Sequence, residues 1–446
     1  MTVRARSLVS NSLSSIISSG LLIFSTVLVP AILVRAISRT DYDLLSIILV
    51  ALPLLSIVPQ SLRTAAASQL ALAFSQAEQW LATRVYLRFS VLVIVGLCII
   101  SIVGTEFYVR FNTAHQDRIA LLRFGLYCIA GHALGLIVIG LFSGPAAAQR
   151  DFLPENFAKL WPGMYHLAGI AAVWFAAPAS PIIWICLVYL TSSLTAAALL
   201  ALRLWRSLYA RSERGRGWRH VGVEALFWSG LRGTTWWNVT AYLATSAALL
   251  IVSIQHPASI VPFSIASSVL GITSAGLVAV ASPVSGYAVG LRNRNPAEQR
   301  RFFLAVNTAF QLYIVVMTTV ILLMPQQVFV LWLTPGLAGE VREFCGLLLP
   351  SYVLRLLTMA FTVFVMSAGR QETIWLSPTV EAVMSVGGCL LLGTTMGVAG
   401  IPLALTISAA VRLLLTVIHD ERCNANALSL HRGDTLLSGF RLWRIK

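Results

Sequence analysis

The sequence predicts an all-α polytopic membrane protein, with about 12 transmembrane helices in two pseudo-symmetric six-helix lobes around a central cavity. Three observations carry that reading. Of 446 residues, 57% are hydrophobic and only 11% charged, where a soluble domain carries roughly 25% charged residues. The apolar residues fall into successive runs, each long enough for a bilayer that needs about 20 residues per helical pass. Basic residues concentrate in alternate loops. A soluble globular enzyme, a disordered chain and a disulfide-rich secreted domain are excluded by these values and by a mean hydropathy of +0.81. An open sheet is excluded because lipid cannot satisfy unpaired backbone groups.

The expected helices follow in order. The first, 10–36, comes after Arg4 and Arg6; its apolar run from Leu13 to Ala36 is long and no cleavage site follows, so it reads as a retained helix rather than a signal peptide. The second, 44–72, carries Pro53, Pro59, Gln60 and Arg63. The third is 82–105. The fourth, 120–144, carries His132 and ends in SGPAAAQR, and the fifth, 155–177, carries His166. The sixth, 181–205, leads into RSLYARSERGRGWRH (206–220), the most basic loop. The seventh, 224–252, holds Arg232 with Trp228, Trp236 and Trp237. The eighth and ninth are 258–290 and 302–331. The tenth, 344–367, holds Arg355 near its middle; the eleventh, 374–395, holds Glu381; the twelfth is 398–418. The implied organisation is an N-terminal lobe (1–205), a basic cytoplasmic linker (206–223), a C-terminal lobe (224–418) and a basic cytoplasmic tail (419–446).

The charge pattern gives the orientation. Net charge is +15, and of 32 basic residues only Lys159 and Lys446 are lysine. The termini and the even-to-odd loops, with the helix ends that adjoin them, hold 22 of the 32, and the opposite loops with their adjoining helix ends hold five. This places both termini in the cytoplasm, with the basic excess facing anionic lipid headgroups rather than nucleic acid. At an offset of 220, Ala77-Glu78-Gln79 matches Ala297-Glu298-Gln299, and Arg150 matches Arg370, each pair in equivalent expected loops. A duplicated unit with an even helix count keeps its orientation, so the repeat is parallel, as in transporters built around a midplane cavity.

Ionisable groups at membrane depth are costly and mark function or pairing. Arg355, with Ser351, Thr358 and Thr362 at i−4, i+3 and i+7, lies on a polar stripe. Arg63 and Arg232 lie inside helices 2 and 7. Guanidinium groups bind phosphate and carboxylate bidentately, so these three read either as a cationic lumen for an anionic substrate or as structural pairs. Arg412 and Arg123, nearer helix ends, read as snorkelling. Glu381, on the stripe Ser377–Glu381–Ser385, reads either as a proton- or cation-coupling group or as the counter-ion of a lumen arginine. His132 and His166 lie near the middle of sequential antiparallel helices, which are usually neighbours, so the two could meet, as a proton relay or as interhelical hydrogen-bonding groups.

Other chemistry is not indicated. Asp41 and Asp43 form an acidic pair of the kind used by metal-dependent, lipid-linked sugar transferases, but acidic residues there also complement the dipole of helix 2. The longest outside loop, near 105–119, is too short to build a catalytic domain. There is no phosphate-binding glycine loop, no Ser/His/Asp arrangement and no metal-ligand spacing. The six cysteines show no CxxC or Cys/His pattern. The chain is therefore expected not to be an enzyme and to need no cofactor or metal.

The segment LVPAILVRAISRTDYDLLSIIL after Asn11, the helix VPFSIASSVLGITSAGLVAVASPVSGYAVG and the closing TTMGVAGIPLALTISAAVRLLL together resemble the polysaccharide (O-antigen-type) flippases of the multidrug/oligosaccharidyl-lipid/polysaccharide (MOP) exporter superfamily. Asp43 stands where that family commonly has glycine. The resemblance spans nearly the whole chain through loose, mostly structural motifs. It implies two six-helix lobes, alternating access and a cationic lumen into which Arg63, Arg232 and Arg355 fit by helix position. It also implies the substrate: undecaprenyl-pyrophosphate-linked oligosaccharide, moved from the cytoplasmic to the periplasmic leaflet of a bacterial inner membrane, with a polysaccharide polymerase and export machinery as potential partners. The alternatives are a cation-coupled small-molecule exporter of the same superfamily and a membrane glycosyltransferase or polymerase.

Overall fold

The computed structural model describes residues 17–423 except 19, 21–23, 26–27, 72–75, 112–117, 149–152, 177, 209–219, 292–295 and 368–374. Among the described residues the regular structure is entirely helical. Residues 28–36 belong to α1, followed by α2 (Arg39–Ala71), α3 (Gln76–Phe111), α4 (Ile119–Ala148), α5 (Leu153–Ala176), α6 (Pro181–Leu208), α7 (His220–Thr245), α8 (Ala247–Gln255), α9 (Ile260–Leu291), α10 (Pro296–Leu323), α11 (Gln326–Trp332), α12 (Pro335–Leu357), α13 (Met359–Ser367), α14 (Leu376–Met396) and α15 (Gly400–Cys423). Every one of the twelve expected helices is represented. Eight stretches among the described residues are long and apolar enough to cross a membrane.

Three expected helices are interrupted. Expected helix 9 breaks at Pro325, which lacks an amide N–H and begins a new short helix, α11. Expected helix 7 breaks at Ser246 and expected helix 10 at Thr358. Neither of these two carries a proline at the break. At Thr358 the backbone N–H reaches Arg355 O at 3.2 Å and the hydroxyl reaches the same oxygen at 2.8 Å. The side chain thus competes for a carbonyl the regular helix would use. The Ala77–Gln79 and Ala297–Gln299 triplets lie in the first turns of α3 and α10, not in loops.

The chain divides into two compact units, with the division between Tyr242 and Leu243, inside α7. The larger part of the basic segment 206–223, and the tail from 424 onward, lie outside the described residues.

In the unit Ile17–Tyr242, α4 is the central helix. It packs on α2, α3, α5 and α6, so it is apolar around its circumference. Leu62, Leu97, Ala133, Ile137, Phe142, Leu200 and Leu231 form part of its core. Small residues set the spacing of α4 and α6, because bilayer helices associate by close van der Waals packing. A Cβ on Gly135 would come within 2.7 Å of Ser193 Cβ and 3.1 Å of its backbone carbon. Helix α3 instead leaves Leu92, Ile100, Val103 and Phe107 exposed, the pattern of a lipid-facing helix.

In the unit that begins at Leu243, α14 and α15 form an antiparallel hairpin and α12 packs against both α9 and α15. The hairpin turn needs glycine twice. Gly397 has φ 71°, in the left-handed region, and a Cβ on Gly400 would collide with the backbone oxygen of Leu392. A second core joins Leu277, Phe303, Phe310, Leu356, Ala360 and Phe364. Phe263 of α9 meets Phe344 of α12 edge-on at 5.5 Å.

Candidate functional site

The unit that begins at Leu243 contains a buried ion-pair network. Glu381 of α14 is fully buried. Its Oε1 accepts from Arg355 Nε of α12 at 2.6 Å, and its Oε2 accepts from Arg412 Nη1 of α15 at 2.7 Å. Arg355 Nη2 donates to the carbonyl of Ala244 at 2.6 Å, and Ser385 Oγ donates to the same carbonyl at 3.0 Å. Ala244 lies two residues before the interruption at Ser246, so side chains from α12 and α14 both hold a backbone oxygen beside the break. This is how an interrupted helix is tolerated at membrane depth. The third nitrogen of Arg355, Nη1, is buried without a hydrogen-bond partner. One carboxylate between two permanently charged guanidinium groups leaves a net charge of +1.

Arg412 was expected to snorkel. It is 8% exposed and pairs inward with Glu381. The hairpin explains this. Glu381 lies 17 residues before Val398 at the turn and Arg412 lies 14 residues after it, so at about 1.5 Å per residue the two reach nearly the same depth. That signal was present in the sequence, as similar spacings about a glycine turn.

Arg63 and Arg232 are placed differently. Arg63 is half-buried on α2, and Arg232 is exposed on α7, as is Trp236 one turn later. Neither arginine makes an ion pair among the described residues. The helices that carry them are joined close by: Asn238 Nδ2 donates to Ser61 Oγ at 2.8 Å, and Thr234 Oγ1 donates to Ser61 O at 3.3 Å. Ser61 and Thr234 are buried, so α7 turns its polar buried face to α2 and leaves Arg232 on another face.

His132 and His166 come together, with ring centroids 6.1 Å apart. Hydrogen bonding assigns the tautomer of His132. His132 Nδ1 lies 2.7 Å from Tyr189 O, a pure acceptor, so Nδ1 carries the proton. Ser192 Oγ lies 2.7 Å from that same carbonyl and 3.0 Å from His166 Nε2, so it bridges the two. The Tyr189 ring lies 4.2 Å from that of His166. Neither imidazole pairs with a carboxylate among the described residues.

Two further ion pairs lie near helix ends. Asp41, in the first turn of α2, pairs with Arg118. Arg123 pairs with Glu106 at 2.9 Å while both stay partly exposed. Among the described residues, no group of three or more His, Cys, Asp or Glu side chains is placed to hold a metal ion.

No protein-family model matches the sequence, and no curated protein matches it. Solved structures do match the fold. A MOP superfamily transporter from Pyrococcus furiosus, whose binding pocket is of reverse polarity, aligns with a TM-score of 0.72 and 13% identity over 95% of this chain and 96% of that one. A MATE protein in complex with MaL6 aligns with a TM-score of 0.72 and 14% identity over the same shares. A multidrug resistance MATE family transporter of the MOP superfamily, in its outward-facing conformation, aligns with a TM-score of 0.69 and 13% identity over 94% of this chain and 96% of that one. At such identities the likeness establishes the fold.

Proposed function

We propose that the protein, which has the fold of MOP superfamily transporters, is a membrane transporter for an anionic amphiphile. The proposed substrate is a lipid-linked oligosaccharide, flipped from the cytoplasmic to the outer leaflet of a bacterial inner membrane by alternating access. Both termini then lie in the cytoplasm, a placement the distribution of arginine supports. The observation that carries this reading is the net positive charge of the Arg355–Glu381–Arg412 triad, with Arg355 Nη1 still unpartnered. A buried cation with a donor to spare favours an anion and repels a cation. Arg63 and Arg232, without ion-pair partners among the described residues, would extend the same preference. The glycan is held by its charge while the lipid tail stays in the bilayer.

A second reading has more direct support from the comparisons: a cation-coupled exporter of small molecules. It is favoured by the multidrug transporter among the similar structures. The triad weighs against cationic cargo.

One assay separates the two. Liposomes containing only this protein receive a fluorescent lipid-pyrophosphate oligosaccharide, and an outside quencher reports its movement between leaflets. Saturable, protein-dependent movement, strongly reduced in Arg355→Ala, is the expected result. Absence of movement, together with gradient-driven transport of a cationic dye, would establish the exporter instead.

A further inference from the structure

A carboxylate, a backbone carbonyl and a serine hydroxyl converge in the unit that begins at Leu243: Glu381, Ala244 O and Ser385 Oγ. These are hard oxygen donors, the set that holds a small cation. Here a side chain occupies that position. Arg355 places Nε on Glu381 Oε1 and Nη2 on Ala244 O, both at 2.6 Å, while Arg412 takes the second carboxylate oxygen at 2.7 Å. Glu381 is fully buried.

We propose that Arg355 is a tethered cation: its guanidinium fills the place that Glu381, Ala244 O and Ser385 would offer a diffusible monovalent cation, so Glu381 couples to neither protons nor sodium. The electrostatics point one way. Protonating Glu381 would leave two buried guanidinium groups without a counter-charge. Admitting sodium would set three positive charges against one carboxylate. Both states are strongly disfavoured away from water, and a guanidinium does not release its proton. The other titratable groups close to Arg355 are Tyr352 of α12 and Cys389 of α14. Helices α8 and α9 carry no charged residue. Removing Arg355 leaves Glu381 paired with Arg412, a neutral pair, and vacates a space shaped for a guanidinium ion. The proposal concerns coupling and holds for whichever solute is carried.

The test uses the full chain in lipid nanodiscs. Melting is followed against sodium chloride, choline chloride and guanidinium chloride, the last at millimolar, non-denaturing concentrations and all at matched ionic strength. The wild type is expected to respond to none of these cations specifically. Acidification is expected to produce no infrared carboxylic-acid band that Glu381→Asp displaces. Arg355→Ala is expected to gain saturable stabilisation from guanidinium and from sodium over choline, and Arg355→Lys, which keeps a tethered charge, is not. Sodium-specific stabilisation of the wild type, or a Glu381 acid band, would overturn the proposal, as would an Arg355→Ala protein indifferent to guanidinium. If Arg355→Ala does not fold, the two wild-type measurements decide alone. A failed glycan-movement assay leaves these measurements untouched, so the substrate reading and the tethered-cation proposal fail separately.

Discussion

Glu381 is the residue on which the C-terminal network turns, because it is the one negative member: its loss raises the net charge of the network from +1 to +2. Glu381→Gln leaves Arg355 and Arg412 buried without a counter-charge. Breaking a buried pair in this way costs about 3–5 kcal/mol, so this variant is expected to melt well below the wild type. Arg412→Gln leaves a neutral Arg355–Glu381 pair and is expected to lose less. Thermal unfolding of the two variants in the same nanodiscs checks the order; equal losses would mean that charge balance is not what the network supplies. The histidines behave differently. Tyr189 O accepts from both His132 and Ser192, so His132→Phe removes one of two donors and leaves the carbonyl satisfied. The expected cost is about 1 kcal/mol, with glycan movement retained. Loss of movement without loss of stability would give the histidine pair a role in transport.

Glycine positions govern two contacts between elements. In the α4–α6 pair, Gly135 lies against Ser193, with room for no Cβ. Gly135→Leu must push the helices apart, and overpacking of this kind costs about 1–3 kcal/mol. In the α14–α15 hairpin, Gly397 at φ 71° and ψ −160° sits in a region open essentially to glycine, and holding an L-residue there costs about 1–3 kcal/mol. Gly397→Ala is expected to weaken the hairpin and with it the alignment of Glu381 with Arg412. A melting temperature unchanged in Gly397→Ala would show that the turn is not what sets that register. The helices themselves were legible from apolar runs and their polar punctuation, since each pass must be long enough to span the bilayer and must satisfy its own backbone. The breaks at Ser246 and Thr358 were not legible. Both are stabilised by side chains distant in sequence or by a hydroxyl that could equally well have bonded within a regular helix.

At the scale of the molecule, exposed apolar faces on α3 and α10, such as Leu92, Ile100, Leu312 and Leu323, match helices that meet lipid. Orientation rests on the arginine distribution. An impermeant maleimide is expected to label Thr113→Cys in intact cells and to reach Ser212→Cys only after permeabilisation, in a background without other cysteines. The reverse pattern would invert the topology and the direction of any transport.

The sequence by itself determined that the chain is helical, polytopic and asymmetrically charged, because hydropathy and loop arginines act locally and additively along the chain. It also singled out Arg355, Glu381, His132 and His166, because an ionisable group inside an apolar run stands out without any knowledge of its neighbours. Only the tertiary structure decided their partners. That Arg412 turns inward, that Glu381 serves two arginines and that Arg355 also holds Ala244 O depend on which faces of α12, α14 and α15 meet, and on a backbone carbonyl 111 residues before Arg355 in sequence. Pairing is a property of packed neighbours, and a periodic apolar pattern does not encode which neighbour a buried charge will find.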